Sequence, residues 1–215
     1  EKFISDFIEG NFSVKQNQAA VNGGIFALLD VSGSMGAGAR HPTYMTSSFG
    51  SLASAILSVF LERCDVTNEQ FFFRTFDTTT SPLEHAYDQK TRAVLKAKIE
   101  KNSYNGGGTN IVQAMQKCAE DFKNSNVDPK QSELLLISDL DADWPDSALS
   151  IITDMHNLGT KVRILMITDG QYFSSGAFKA LKPVSDVFLM LDTNKPISTK
   201  IFDIVKPIKG SSEEE

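Results

Sequence analysis

Asp30, Ser32 and Ser34 stand at two-residue steps in the stretch FALLDVSGSMGAG, residues 26–38, directly after an apolar run. Gly33, Gly36 and Gly38 loosen the backbone there, so several side-chain oxygens can converge on one point. Thr109 in NGGGTN and Asp139 in ELLLISD offer a further hydroxyl and a further carboxylate. Such oxygen-only donors suit a hard divalent cation. Mg2+ is favoured because it binds few carboxylates and keeps several waters, while Mn2+ and Ca2+ accept the same donor types. Zinc and copper would want His or Cys, and neither lies in these three stretches. Hydroxyl ligands add no negative charge, so a metal held this way stays electrophilic and leaves a position that an acidic side chain of a partner can fill. The chemistry expected is binding, with no catalytic residue.

The elements that must position these residues read as an alternation of strands and helices. Apolar runs at 25–29, 70–76, 133–138, 161–167 and 186–191 predict strands, the continuous ones being those of a parallel sheet covered on both faces. A short third strand is expected within PLEHAYD. Apolar residues recurring at three and four predict helices over 47–63, 91–101, 110–123 and 147–158, a short one in GAFKALK, and a closing one over 198–205. The fold class expected is α/β, a doubly wound, mostly parallel sheet with helices on both faces. Ligands of such sheets bind beyond the carboxyl ends of the strands, where strand order reverses. If the strand at 25–29 neighbours the strand at 133–138 across that reversal, the five side chains share one crevice.

The chain has 215 residues, 41% of them hydrophobic and 22% charged, enough for one sizeable core. We divide it into an N-terminal extension at 1–20, a domain over 21–206, and an acidic tail at 207–215 that is expected to be disordered. A formal charge of −6 and a pI near 5.1, with scattered Lys and Arg, argue against nucleic acid or an anionic membrane as partner. Cys64 and Cys118 form no metal or disulfide spacing and read as reduced, buried thiols. No apolar segment reaches the roughly 20 residues needed to span a bilayer. The first residues lack the apolar core of a signal peptide, and the absence of an initiator Met together with the SSEEE ending reads as a segment of a longer protein. A cytoplasmic location is the expectation.

Together, DVSGSM, GGGTN and ISD resemble the von Willebrand factor A domain and its metal-ion-dependent adhesion site. The resemblance covers roughly residues 20–206. That family reads Asp-x-Ser-x-Ser after the first strand, then a distant Thr, then a distant Asp at the end of the fourth main strand. It implies direct coordination of the metal by Ser32, Ser34 and Thr109, with Asp30 and Asp139 binding directly or through water. The wording is most similar to the intracellular branch, whose members work with MoxR-type AAA+ ATPases or are related to metal-chelatase subunits. The resemblance thus implies such a partner. Many members of that branch read ISDG, where this chain has Leu140 followed by DADW. Asp141 and Asp143 would add negative charge beside the site or bind a second ion.

Other readings of the same residues are weaker. GGGTN could cradle a phosphate at a helix start, but it lacks the GK[ST] ending of a P-loop. An EF-hand loop counted from Asp139 would need Gly and Glu where Trp144 and Ser150 stand. A haloacid-dehalogenase-like phosphatase would use Asp139 as nucleophile and Asp141 as acid, yet that motif ends in Thr or Val and lies early in its domain. A third alternative is a structural domain whose metal only stabilises the fold. Asp169 in LMITDG imitates the metal aspartate, but choosing it would leave ELLLISD without a role. His41, His85 and His156 lack a triad-like context. Trp144, beside Pro145, reads as packing at a helix entry, or as an anchor for a partner, and Asp77 as a turn cap.

Overall fold

Each long apolar run becomes a strand because only a sheet with helices on both sides can bury it completely. The computed structural model describes residues 23–36, 48–169, 175–193 and 204–208. The strands are β1 (Gly24–Asp30), β2 (Gln70–Phe76), β3 (Glu84–Ala86), β4 (Glu133–Ser138), β5 (Lys161–Thr168) and β6 (Val187–Asp192). The helices are α1 (Phe49–Thr67), α2 (Gln89–Ile99), α3 (Ile111–Asn124), α4 (Asp146–Asn157) and α5 (Ser175–Leu181). The extension at 1–20, His41, most of the closing helix at 198–205 and nearly all of the acidic tail lie outside the described residues.

The sheet runs β3-β2-β1-β4-β5-β6, and only β3 is antiparallel. Strand order therefore reverses between β1 and β4, which pair directly from Ile25 opposite Glu133 to Leu29 opposite Ile137. This is the α/β doubly wound sheet the sequence predicts, and the reversal places the carboxyl ends of β1 and β4 side by side.

Alternation along β1 sends its residues into two cores. Ile25, Ala27 and Leu29 pack with Ala53, Ile56, Leu57 and Phe60 of α1 and with Leu95 and Ile99 of α2. Phe26 and Leu28 pack on the other face with Ala114, Met115 and Cys118 of α3 and with Ile152 and Met155 of α4. All seven residues of β1 are buried, Asp30 included. Cys64 and Cys118 are free and buried, and burial pushes both thiols up.

Local caps set the elements that matter to the site. Ser48 caps α1 by accepting from the Ser51 amide, and Asn110 caps α3 by accepting from the Gln113 amide at 3.2 Å. The cap at Asn110 fixes Thr109 immediately ahead of the first turn of α3.

At the amino end of β4, far from Asp139, Glu133 is buried against two arginines. Arg63 donates to it at 3.1 Å and Arg163 donates to its other oxygen. Arg163 also donates to the carbonyls of Ile204 and Lys206, and Arg63 to that of Val205. The Phe60 ring lies under both guanidinium groups, 5.3 and 5.5 Å from its centroid. Buried charges persist here because each has an opposite charge or a carbonyl to meet it.

Candidate metal centre

The first loop leaves β1 at Asp30 and folds into a single 3-10 turn, Gly33–Gly36. The Ser32 amide donates to Asp30 Oδ1 at 2.8 Å, which bends the chain back on itself. The Ser32 and Ser34 hydroxyls lie 3.0 Å apart. Ser32 also bonds the Asp30 carboxylate through its side chain, and Ser34 bonds the carboxylate of Asp139. Four of the five predicted residues, Asp30, Ser32, Ser34 and Asp139, thus form one hydrogen-bonded group.

Thr109 arrives on a separate segment. Ser32 forms a parallel bridge with Gly106, the Gly106 amide donates to the Val31 carbonyl at 3.2 Å, and the Gly33 amide donates to the Gly107 carbonyl at 3.5 Å. Zipping 106–107 onto 31–33 brings the Thr109 loop to the edge of the group. Among the described residues, no hydrogen bond joins the Thr109 hydroxyl to the other four, so the structure places it nearby without bonding it to them.

Both carboxylates are deeply buried, Asp30 at 0% and Asp139 at 8% exposure. No cationic side chain among the described residues pairs with either. Burial first of all holds Asp30 above the ordinary carboxylate range, hydrogen bonds from Ser138 and Ser32 work against it, and the charge of Asp139 adds to the rise. Asp139 is likewise held up by burial, opposed by bonds from Ser34 and the Asp141 amide, with the charge of Asp141 pushing it higher.

Proton counting tests whether these residues fit a cation. Each serine hydroxyl has one proton to give. Three oxygen-oxygen contacts, Ser32 with Asp30, Ser34 with Asp139, and Ser32 with Ser34, must share those two protons. The group is therefore richer in lone pairs than in donors, and among the described residues its two buried carboxylates have no cationic partner. A small divalent cation remedies both defects, and hard oxygens are the donors that Mg2+, Mn2+ or Ca2+ prefers. The residues fit the ion.

Two participants escaped the sequence reading. Ser138 donates to Asp30 Oδ2 at 2.6 Å and accepts from the Leu140 amide at 2.8 Å, joining the ends of β1 and β4. Its signal is a lone hydroxyl closing an otherwise apolar run in β4. Tyr104 wedges between the first loop and α1: a Cβ at Gly36 would lie 2.3 Å from its carbonyl oxygen, and one at Gly50 would lie 2.3 Å from its ring. Its phenol meets the Ser54 hydroxyl at 2.5 Å.

Asp77 accepts from the Thr79 amide at 2.8 Å, a turn cap. Asp30, Asp77, Asp139, Asp169 and Asp192 each close or directly follow one of the five parallel strands. A strand-end aspartate is therefore not distinctive by itself. Position separates Asp139 from Asp169: β4 adjoins β1, and β5 lies one strand farther away. Asp141 and Asp143 are exposed, and no cluster of three His, Cys, Asp or Glu side chains placed for a metal occurs among the described residues. The charge of Asp141 pushes Asp139 upward. Leu140 takes φ 58° and is wholly buried, where many members of the resembled branch carry glycine. Trp144 packs against the second core just before α4. His85 stacks on Phe72 and meets Gln70 at 2.8 Å, and His156 lies 3.4 Å from Asp186.

Comparison with known proteins agrees with this architecture. The profile of a family described as "VWA domain containing CoxE-like protein" matches residues 11–182. No curated protein sequence matches the chain. Among solved structures, BatB from Bacteroides thetaiotaomicron superposes with a TM-score of 0.64 at 16% identity, covering 86% of this chain and 97% of that one. The manganese-loaded TRAP protein of Plasmodium vivax gives 0.61 at 15% identity, over 87% of this chain and 73% of that one. Proximal thread matrix protein 1 from the mussel byssus, with a zinc-occupied MIDAS motif, gives 0.59 at 15% identity, over 86% and 45%. At these identities the likeness is one of fold. No helix among the described residues is long and apolar enough to cross a membrane.

Proposed function

This chain belongs to the family of CoxE-like proteins that contain a VWA domain, and from that premise we propose that it is a metal-dependent protein-interaction module. Asp30, Ser32, Ser34, Thr109 and Asp139 would hold the ion, with Mg2+ the favoured occupant and Mn2+ or Ca2+ the alternatives. When bound, the ion supplies a hard Lewis-acidic position open to a carboxylate oxygen. An acidic side chain of a partner would complete the coordination, and a MoxR-type AAA+ ATPase is the partner implied by the family resemblance.

The observation that carries this reading is the shortage of protons in the Asp30, Ser32, Ser34 and Asp139 group, whose two buried carboxylates meet no cationic side chain among the described residues. Asp30 and Asp139 supply the charge that holds a dication, and the neutral hydroxyls leave it electrophilic. Ser138 and the Ser32 amide hold Asp30 in place, while Ser34 and the Asp141 amide hold Asp139.

The test is calorimetry of the purified domain with MgCl2, followed by capture of a purified partner with and without chelator. Asp30→Ala should abolish metal uptake and capture together. Capture that persists in chelator would leave only a fold-stabilising metal, and hydrolysis of an aryl phosphate that is lost in Asp139→Ala would replace the proposal with a phosphatase.

A further inference from the structure

Asp77 grips the Thr109 loop on both sides of the threonine. Its carboxylate accepts from the Gly107 amide, two residues before Thr109. Its main-chain carbonyl accepts from the Asn110 amide at 2.6 Å, one residue after. The same carboxylate is itself fixed by the Thr79 amide at 2.8 Å and the Thr79 hydroxyl at 3.1 Å. The fit is close enough that a Cβ on Gly106 would come within 2.5 Å of Asp77 Oδ2 and 2.8 Å of the Val31 carbonyl oxygen. Only glycine lets the loop pass between Val31 and Asp77.

From these contacts we infer that Asp77, at the end of β2, is a positioning residue for the metal centre: it sets the backbone on either side of Thr109 and so places the one predicted ligand that no hydrogen bond ties to the others. The inference rests on the proposed reading of Thr109 as a ligand. Asn110 adds the complementary restraint from the helix side, since its side chain caps α3. A ligand delivered by a loop is only as well placed as the groups that orient it, and such outer groups typically change metal affinity by about 10- to 100-fold.

A double-mutant cycle on the whole chain tests this, read by Mg2+ calorimetry and by thermal unfolding in chelator. Asp77→Ala should weaken Mg2+ binding about 10-fold, and Asp77→Asn, which keeps an acceptor oxygen, should restore most of it. Thr109→Ala should weaken binding as well, and adding Asp77→Ala to it should cost no further affinity, because the two act through one contact. The loss in thermal stability, by contrast, should be the same in both backgrounds. If Asp77→Ala does not fold, Gly106→Ala presses on the same clamp and should weaken Mg2+ binding in its place.

Asp77→Asn binding as poorly as Asp77→Ala would mean that charge, not positioning, is what matters, and would overturn the inference. So would additive losses in the double variant, or an unchanged affinity in Asp77→Ala while Thr109→Ala is impaired. Failure of the native chain to take up Mg2+, or uptake that survives Asp30→Ala, would instead overturn the metal reading beneath it.

Discussion

The Ser138 hydroxyl lies 2.6 Å from Asp30 Oδ2, a bond between residues 108 positions apart that fastens the carboxyl end of β4 to that of β1. The same oxygen accepts from the Leu140 amide, so one hydroxyl orients a buried carboxylate and shapes the turn that carries Asp139. Ser138→Ala leaves the Leu140 amide without its acceptor and Asp30 without its shortest bond. The expected cost is about 1–3 kcal/mol in urea unfolding of the metal-free protein, with Mg2+ affinity lower by about 10-fold. Unchanged Mg2+ affinity would show that Asp30 keeps its orientation through Ser32 alone.

That bond also shows where a linear reading stops. The strands at 70–76 and 133–138 have the boundaries their runs predict: β4 is buried at every residue, and β2 carries buried aromatics at Phe71, Phe72, Phe73 and Phe76. Helix α3 begins one residue after Asn110, as a capping side chain requires. α1, however, runs four residues past Arg63 to end before Asn68 at φ 56°, a left-handed stop whose signal lies in the Asn itself. α2 starts at Gln89 because Asp88 and Thr91 form a reciprocal capping box, which the apolar period cannot register. Asp30, Ser32 and Ser34 were legible because their spacing is local. Ser138, Asp77 and Tyr104 were not, since each acquires its role from a neighbour brought alongside by the sheet order.

Leu140 offers a test of backbone strain against packing. It sits at φ 58°, a conformation costing a leucine roughly 1–2 kcal/mol, and is held there by full burial in the second core. Leu140→Ala forfeits the packing and keeps the strain, so a loss of about 3–5 kcal/mol is expected. Leu140→Gly forfeits the packing and relieves the strain. The glycine variant should therefore be the more stable of the two by about 0.5–1 kcal/mol in urea unfolding, the reverse of the usual order. An alanine variant at least as stable as the glycine one would mean that the turn relaxes out of the left-handed region.

Burial raises Asp30 and Asp139 above their ordinary value of 3.8, and this sets the sign of a pH effect in the metal-free protein. Between 3.8 and the raised folded value, the native state binds more protons than the unfolded chain. Stability from these two groups is therefore greatest below that window and falls as pH rises through it, by up to about 1.4 kcal/mol per pH unit for each group. Asp77 and Asp88 are shifted downward by their hydrogen bonds and tilt the total the other way, so the measurement must isolate the pair. Asp30→Asn keeps the size of the side chain and removes the charge. In chelator, the stability of the native chain minus that of Asp30→Asn should decline from pH 4 toward neutrality. In excess Mg2+ the decline should reverse, because a dication and a proton compete for the same oxygens and the dication wins as pH rises. Urea unfolding at four or five pH values, with and without the metal, reads both slopes. A difference that rises with pH in chelator would mean that Asp30 is better stabilised as an anion than its burial allows, and that the centre does not depend on a cation for its charge.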